Sequence, residues 1–184
     1  MKHLTDNEIS EWHSENGMTV DPYSENDDSR WYVQFYQPED YKKKEALSCS
    51  FLELTKGTGS SLFHVKDWDH YTESQMIAID AIRAQDGEKR KLIEAPGRIL
   101  SEGEEELGAL LLSLTSSFGW TSYLHHPERK ISLLNWEGEI YDFWTESAES
   151  MSKISDLIDR FNLKKTTEQN QTSLTTPGAP PPSS

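Results

Sequence analysis

Four residues in one short segment have side chains that bind metal ions: His64, Asp67, Asp69 and His70. Imidazole nitrogens and carboxylate oxygens hold zinc and other metals that activate water in hydrolases. Their spacing matches no established metal motif, and exposed loop residues explain the same pattern. His125 and His126 are further candidates, but adjacent side chains of a strand point to opposite faces, so only one can join a common site. We assign no metal ligand, and a metal-dependent hydrolase of unrecognised type is the alternative function.

Nucleophilic chemistry has one cysteine candidate, Cys49. A cysteine beside a histidine and an acid can act as a nucleophile, but no local signature surrounds Cys49, and free cysteines are most often buried small hydrophobes. The chain has no G-x-S-x-G elbow, and Gly57, Gly59 and Ser60 form neither a P-loop nor a dinucleotide fingerprint. We therefore predict no catalytic residue and no cofactor, and we expect a protein that is not an enzyme.

The predicted binding site combines aromatic residues with an acid: Trp136, Tyr141, Asp142 and Trp144. Further acids are their neighbours in the sequence: Glu137, Glu139, Glu146 and Glu149. Aromatic anchors together with charged groups are typical of protein-binding surfaces. The alternative is that the aromatic side chains face the core while the acids face water, because side chains alternate along a strand.

The overall charge indicates which partners the chain favours. With 32 acidic and 18 basic residues, the chain has a net charge of -14. This charge repels nucleic-acid backbones and anionic membranes within a Debye length of about 10 Å at moderate salt. It favours a basic protein partner, unless it serves solubility alone. We therefore predict an acidic protein-interaction module, immunity- or inhibitor-like, that binds a basic protein, with no nucleic-acid or membrane partner. A nucleic-acid mimic is a third hypothesis.

The cysteine count and the apolar runs indicate a cytoplasmic protein. A single cysteine cannot form an internal disulfide, and the first six residues lack the apolar core of a signal peptide. The richest apolar stretch, residues 107–114, is too short to span a membrane, which takes about 18 apolar residues. The sequence does not indicate an oligomeric state.

Four helices that would position these residues have recognisable starts or apolar stripes. Capping-box spacing marks three starts: Thr5 with Glu8 for a helix over residues 6–15, Thr72 with Gln75 for one to about residue 85, and Ser101 with Glu104 for one to about residue 117. The third helix is expected to pack through a stripe of leucines: Leu107, Leu110, Leu111 and Leu114. A last amphipathic helix is expected over residues 146–162.

Alternating apolar residues predict the strands. Residues 30–36 carry aromatic side chains on both faces and are expected to form a well-buried strand, and residues 62–65 form a short one. Residues 120–125, 131–136 and 139–144 predict an antiparallel meander with a tight turn at Glu137-Gly138. Pro96-Gly97 is expected to break the chain, and residues 38–54 fit helix or strand equally.

These elements predict an α+β fold in which an antiparallel sheet, ending in the three-stranded meander, packs against several helices. We expect a single domain over residues 1–165. Residues 166–184 contain mostly Thr, Gln, Ser and Pro, with Leu174 as their one large apolar residue, and are expected to form a disordered tail.

A series of short motifs runs through residues 62–142: Asp67-Trp68, Thr72-Glu73-Ser74, the helix end 83–87, Glu94-Ala95-Pro96-Gly97 and Phe118-Gly119-Trp120. Their order resembles a group of uncharacterised bacterial proteins with a Trp loop, a helix, a Pro-Gly turn, a leucine helix and a Trp strand. The resemblance implies this order of elements and no known activity. The chain departs from the pattern at Arg98, where a histidine is usual, and at Thr121, where an aspartate is usual.

Overall fold

The computed structural model describes residues 2–24, 30–68 and 70–166 of the chain. Within these ranges the chain is α+β, as predicted, with seven strands and five helices. The predicted tail falls outside the described residues except for its first residue, Thr166. The backbone N–H of Thr166 donates to the carbonyl oxygen of Gln34 at 3.1 Å, so Thr166 is joined to the sheet.

The strands are β1 (His3–Leu4), β2 (Trp31–Tyr36), β3 (Ser61–Asp67), β4 (Gly97–Leu100), β5 (Thr121–His126), β6 (Ile131–Trp136) and β7 (Ile140–Thr145). The helices are α1 (Asp6–Glu15), α2 (Tyr41–Glu53), α3 (Glu73–Gln85), α4 (Glu105–Phe118) and α5 (Ala148–Arg160). The strands form one sheet in the order β1-β4-β3-β5-β6-β7-β2, in which every pairing is antiparallel. The predicted meander is confirmed as β5, β6 and β7.

The starts of two helices are confirmed at the capping boxes. At α1, the backbone N–H of Glu8 donates to Thr5 Oγ1 at 3.3 Å, and the Glu8 carboxylate accepts from the Thr5 N–H at 2.8 Å. Helix α3 has the same arrangement. At α4, the Glu104 carboxylate accepts from the Ser101 N–H at 2.9 Å, but the helix begins only at Glu105, so the expected start is wrong by about one turn.

Helix α4 packs through three of the four residues of the predicted stripe: Leu111 is buried in the main core, and Leu107 and Leu114 are half-buried against it. Leu110 is exposed, and Leu112 is fully buried in its place. A Cβ on Gly108 would come within 2.8 Å of side-chain carbons of Leu52 and Leu100. The glycine therefore allows α4 to approach α2 closely, and this contact determines which side of α4 faces inward.

Residues 38–54, which fitted helix or strand, contain α2. The side chain of Asp40 caps this helix by accepting the N–H of Lys43 at 3.0 Å. Leu47 and Phe51 lie four residues apart and are both buried against the main core, as the inner face of a helix requires.

The expected chain break at Pro96-Gly97 is wrong, because Gly97 begins β4. Gly97 is the register partner of Leu4 on β1 and of His64 on β3. A Cβ at Gly97 would lie 2.8 Å from the side chain of Ile9, so the glycine provides the space that α1 needs against the sheet.

Strand β2 is an edge strand and not a well-buried one. It pairs with β7 on one side, and on the other side Phe35 bridges to Lys165. Val33 and Phe35 are buried, while Trp31 and Tyr36 are exposed. The aromatic residues at both ends of β2 therefore reach the surface.

The two faces of the sheet are covered differently. The helix face carries the main apolar core, which α2, α3, α4 and α5 cover. The second face is covered in part by α1 and residues 17–24, which we call the N-terminal cover. A smaller apolar cluster holds α1 in place: Leu4, Ile9 and Leu62, with Trp12 and Ile99 packed against it. No helix in the described part of the chain is long and apolar enough to span a bilayer.

Candidate functional site

The four predicted binding residues lie on different faces of the sheet and differ in their exposure to solvent. Tyr141 is buried on the helix face, where its hydroxyl lies 2.8 Å from Ser116 Oγ. Asp142 and Trp144 point to the second face and are also buried. Trp136 is 49% exposed. The four side chains therefore do not form one exposed surface in this structure, and Trp136 is the member that a partner can reach.

Asp142 reverses the expected arrangement in which acids face water. Its carboxylate is 0% exposed, and its Oδ1 accepts from the Tyr32 hydroxyl and from Gln34 Nε2, each at 2.7 Å. Burial, together with hydrogen bonds to Tyr23 and Asp142, raises the pKa of Tyr32. Tyr32 therefore keeps its proton and remains a donor to the carboxylate. Its ring also stacks on Trp144, with ring centroids 5.3 Å apart.

Three histidines lie together on the same face, and we call His13, His64 and His125 the histidine cluster. Strand register places His64 opposite Tyr123, which lies two residues before His125 on β5. The Tyr123 ring stacks on both histidines, with centroids 6.4 Å from His64 and 5.2 Å from His125. His13 comes from α1 and meets His125 edge-on at 4.6 Å. All three imidazoles are buried.

The histidine cluster is uncharged at neutral pH. Burial lowers the pKa of each of its imidazoles, to about 4 for His64 and well below the ordinary value for His125. His13 Nδ1 lies 2.8 Å from the carbonyl oxygen of Ile9, and His125 Nδ1 lies 2.9 Å from Ser132 Oγ. The other buried nitrogens, His13 Nε2, His64 Nδ1 and His125 Nε2, have no hydrogen-bond partner among the described residues.

The residues of the metal hypothesis do not converge within the described ranges. His64 points inward, whereas Asp67 and His70 are exposed, and Asp69 lies outside the described residues. His125 and His126 do face opposite sides, since His126 Nε2 lies 3.2 Å from Thr58 Oγ1 on the helix face. Among the residues that the structure describes, no group of three or more His, Cys, Asp or Glu side chains could hold a metal ion.

At the other end of the second face, apolar side chains remain uncovered. Ile140 on β7 is the register partner of both Trp136 on β6 and Tyr36 on β2. These three residues therefore form a row across three neighbouring strands, which we call the exposed row. Tyr36 is 43% exposed, and Ile140 is half-buried between the two aromatic residues. Sequence reasoning included Trp136 but missed Tyr36 and Ile140.

Acidic side chains border the exposed row. Glu137 and Glu139 belong to the hairpin turn between β6 and β7, and both are exposed. The Gln37 N–H donates to the Glu139 carbonyl at 2.8 Å, so exposed Glu39, two residues further on, lies at the same end of the sheet. Cations lie at this end as well: Lys164 Nζ is 5.7 Å from the centroid of the Tyr36 ring, and Lys44 lies beside the hairpin turn, close enough to act on Glu139.

The hairpin that carries Trp136 is held in one conformation. Glu137 and Gly138 have positive φ angles of 48° and 71°, as a type I′ turn requires. The turn packs against the end of α4 so closely that a Cβ on Gly138 would lie 2.0 Å from the Ser116 carbonyl oxygen. Lys44 Nζ also donates to the Gly138 carbonyl at 2.9 Å. The exposed row therefore rests on a rigid support.

Comparison with known proteins gives no match to this chain, whether with protein-family profiles, with curated proteins or with solved structures. The resemblance to a bacterial group therefore stays a prediction.

Proposed function

We propose that this chain is a protein-interaction module that binds a basic protein through the exposed row and the acids around it. The observation that supports the proposal most directly is the row itself, in which Trp136, Ile140 and Tyr36 lie side by side on a sheet face with acidic neighbours. Contiguous exposed apolar groups with a polar rim mark interaction sites on soluble proteins.

The chemistry of the row suits a protein partner. Trp and Tyr are enriched among the residues that contribute most to binding, because they bury a large area and lose little side-chain entropy. Burying apolar area contributes about 25 cal/mol per Å² before the costs of association. Since the turn at Glu137-Gly138 is already held against α4, little ordering cost remains to be met on binding.

The charge of the chain supports a basic partner. The net charge of -14 attracts a cationic surface over a Debye length, and Glu39, Glu137 and Glu139 focus that attraction on the row. An acidic protein that covers a basic surface in this way is immunity- or inhibitor-like, and we propose that it acts in the cytoplasm. Nucleic acids and anionic membranes are disfavoured by the same charge.

Catalysis has less support from the described residues. Ser132 and His125 are within hydrogen-bond distance, but both side chains are buried. Cys49 is exposed on α2, on the opposite side of the sheet from the histidine cluster. We therefore do not propose an enzymatic function.

The test is affinity purification of the tagged chain from its native host at low and moderate salt, followed by titration of the purified chain with the partner found. The informative variant is Trp136→Ala. Its matched control is Trp31→Ala, because Trp31 is exposed to a similar degree, 44%, but lies at the opposite end of β2.

We expect one stoichiometric basic protein that binds the wild type and Trp31→Ala equally and binds Trp136→Ala at least tenfold more weakly. Its affinity should fall as salt rises, because charge contributes to the encounter. Equal binding by Trp136→Ala, or binding that is insensitive to salt, would contradict the proposal. So would a tightly bound metal in a purified chain that captures no protein, which would favour the hydrolase alternative.

A further inference from the structure

The N-terminal cover is attached to the second face by contacts that are separate from the main core. Leu4, Ile9 and Leu62 form their own apolar cluster, on the opposite side of the sheet from the core beneath α2 to α5. Beyond this cluster, α1 touches the sheet through the ring of His13 against His125. Helix α1 can therefore leave the sheet without opening the main core.

The histidine cluster lies in the contact between α1 and the sheet. The groups around it disfavour protonation of its imidazoles. Tyr123 and Ser132 contact its imidazoles, and Lys66 acts on His64. Asp21, Tyr23 and Asp142 act on Tyr123. Apart from burial, the groups that lower the pKa values of His64 and His125 are the other histidines, once they are protonated, and Lys66, which acts on His64. Asp142 Oδ1 is engaged by Tyr32 and Gln34.

We propose that the histidine cluster makes the docking of α1 depend on pH, so that acidification releases α1 from the sheet while the main core and its helices stay folded. His64 and His125 belong to central strands and remain with the sheet. His13 departs with α1, and water then reaches all three imidazoles. The inference stands apart from the proposed function, since the exposed row is accessible with α1 docked.

The direction of the effect follows from proton linkage. In the docked form, burial holds the pKa values of the cluster below the ordinary histidine value of about 6.5, which the undocked form regains. The undocked form therefore binds more protons, and docking weakens as pH falls from about 6.5 towards 4. For His64 alone, a pKa of about 4 corresponds to a weakening of up to about 300-fold at low pH.

Hydrogen–deuterium exchange of the full chain, read by mass spectrometry and corrected for the intrinsic pH dependence of exchange, tests this inference. We expect peptides from residues 6–16 to lose protection between pH 6.5 and 4.5. Peptides from β5, β6, β7 and α4 should keep theirs over the same range. Loss of protection in all peptides at one pH, or retained protection of residues 6–16 at pH 4.5, would overturn the proposal.

Three variants make the test specific. His13→Gln removes one titrating group and should move the pH midpoint of α1 release downward, whereas His70→Gln, at an exposed histidine, should leave it unchanged. Gly97→Ala should expose residues 6–16 already at pH 7, because its Cβ would lie 2.8 Å from Ile9. An unchanged midpoint in His13→Gln, or full protection of α1 in Gly97→Ala, would contradict the mechanism.

Discussion

The second face of the sheet has a covered half and an exposed end. Polar groups are buried in the covered half, whereas large apolar groups face water at the exposed end. The covered half buries polar and ionisable groups, namely Asp142 and the histidine cluster. The exposed end presents Trp136 and Tyr36 to water. Polar groups are buried at a cost unless they are paired, whereas exposed apolar rows are costly only until a partner covers them. The covered half is thus buried by another part of the same chain, whereas the exposed end is the surface that we propose a partner covers.

The largest effect is expected from disturbing the support of the exposed end. Gly138→Ala places a Cβ against the Ser116 carbonyl, at a φ of 71° that already disfavours alanine. We expect a loss of about 4 kcal/mol in the free energy of unfolding, measured by urea denaturation. Gly87→Ala is the matched control, because its φ is 75° and nothing lies within 4 Å of its Cβ position. If the two variants lose the same stability, the hairpin is not held by this contact.

Buried histidines, three of them in the covered half, should make the whole protein sensitive to acid. Five histidines have lowered pKa values with burial as the largest cause: His3, His13, His64, His125 and His126. The unfolded chain therefore binds more protons, and stability falls as pH drops from about 6.5 to 4. The shift of His64 to about 4 corresponds to about 3 kcal/mol.

Urea denaturation at pH 7, 5 and 4 measures this loss. His64→Gln should lower the stability at pH 7, because the buried site is altered, but it should flatten the pH dependence. A pH dependence equally steep in His64→Gln and in the wild type would show that His64 is not the titrating group.

The sequence predicted local features of the fold well and its long-range features poorly. The capping boxes at Thr5 and Thr72 and the meander were predicted because their signals lie within a few residues. The role of Gly97 in β4 depends on β1 and on Ile9, about 90 positions away in the chain, so its Pro-Gly pair indicated only a break. The edge position of β2 was missed for the same reason, since alternation does not reveal how many neighbours a strand has.

The site was predictable in part. Trp136 was identified by its position beside Glu137, and it is the predicted residue that reaches solvent. The burial of Asp142 depends on the N-terminal cover, whose residues 17–24 show no periodicity that would place them on the sheet. His13 did carry a signal, because it lies four residues after Ile9 on the inner face of a predicted helix.

A smaller effect is expected from the hydrogen bond to the buried carboxylate. Tyr32→Phe removes the donor 2.7 Å from Asp142 Oδ1 and should lower the free energy of unfolding by about 2 kcal/mol, since taking a hydrogen-bond partner from a buried polar group costs about 1–3 kcal/mol. Tyr36→Phe is the control from the exposed end of the same strand, and it should change stability by less than about 0.5 kcal/mol. Equal losses in the two variants would mean that Asp142 does not depend on Tyr32.

The smallest effect on stability is expected at the residue that matters most for binding. Trp136→Ala removes an indole that is 49% exposed and outside the main core, so the free energy of unfolding should change by less than about 0.5 kcal/mol. Binding to a basic partner should fall at least tenfold, because a large aromatic anchor is lost from the row. A large loss of stability would instead assign Trp136 to the fold, and its exposure would then need no partner. At the exposed end of this face, a substitution should therefore change the affinity for a partner without changing the free energy of unfolding. In the covered half, each substitution should change the free energy of unfolding, because the groups there contact other parts of the chain.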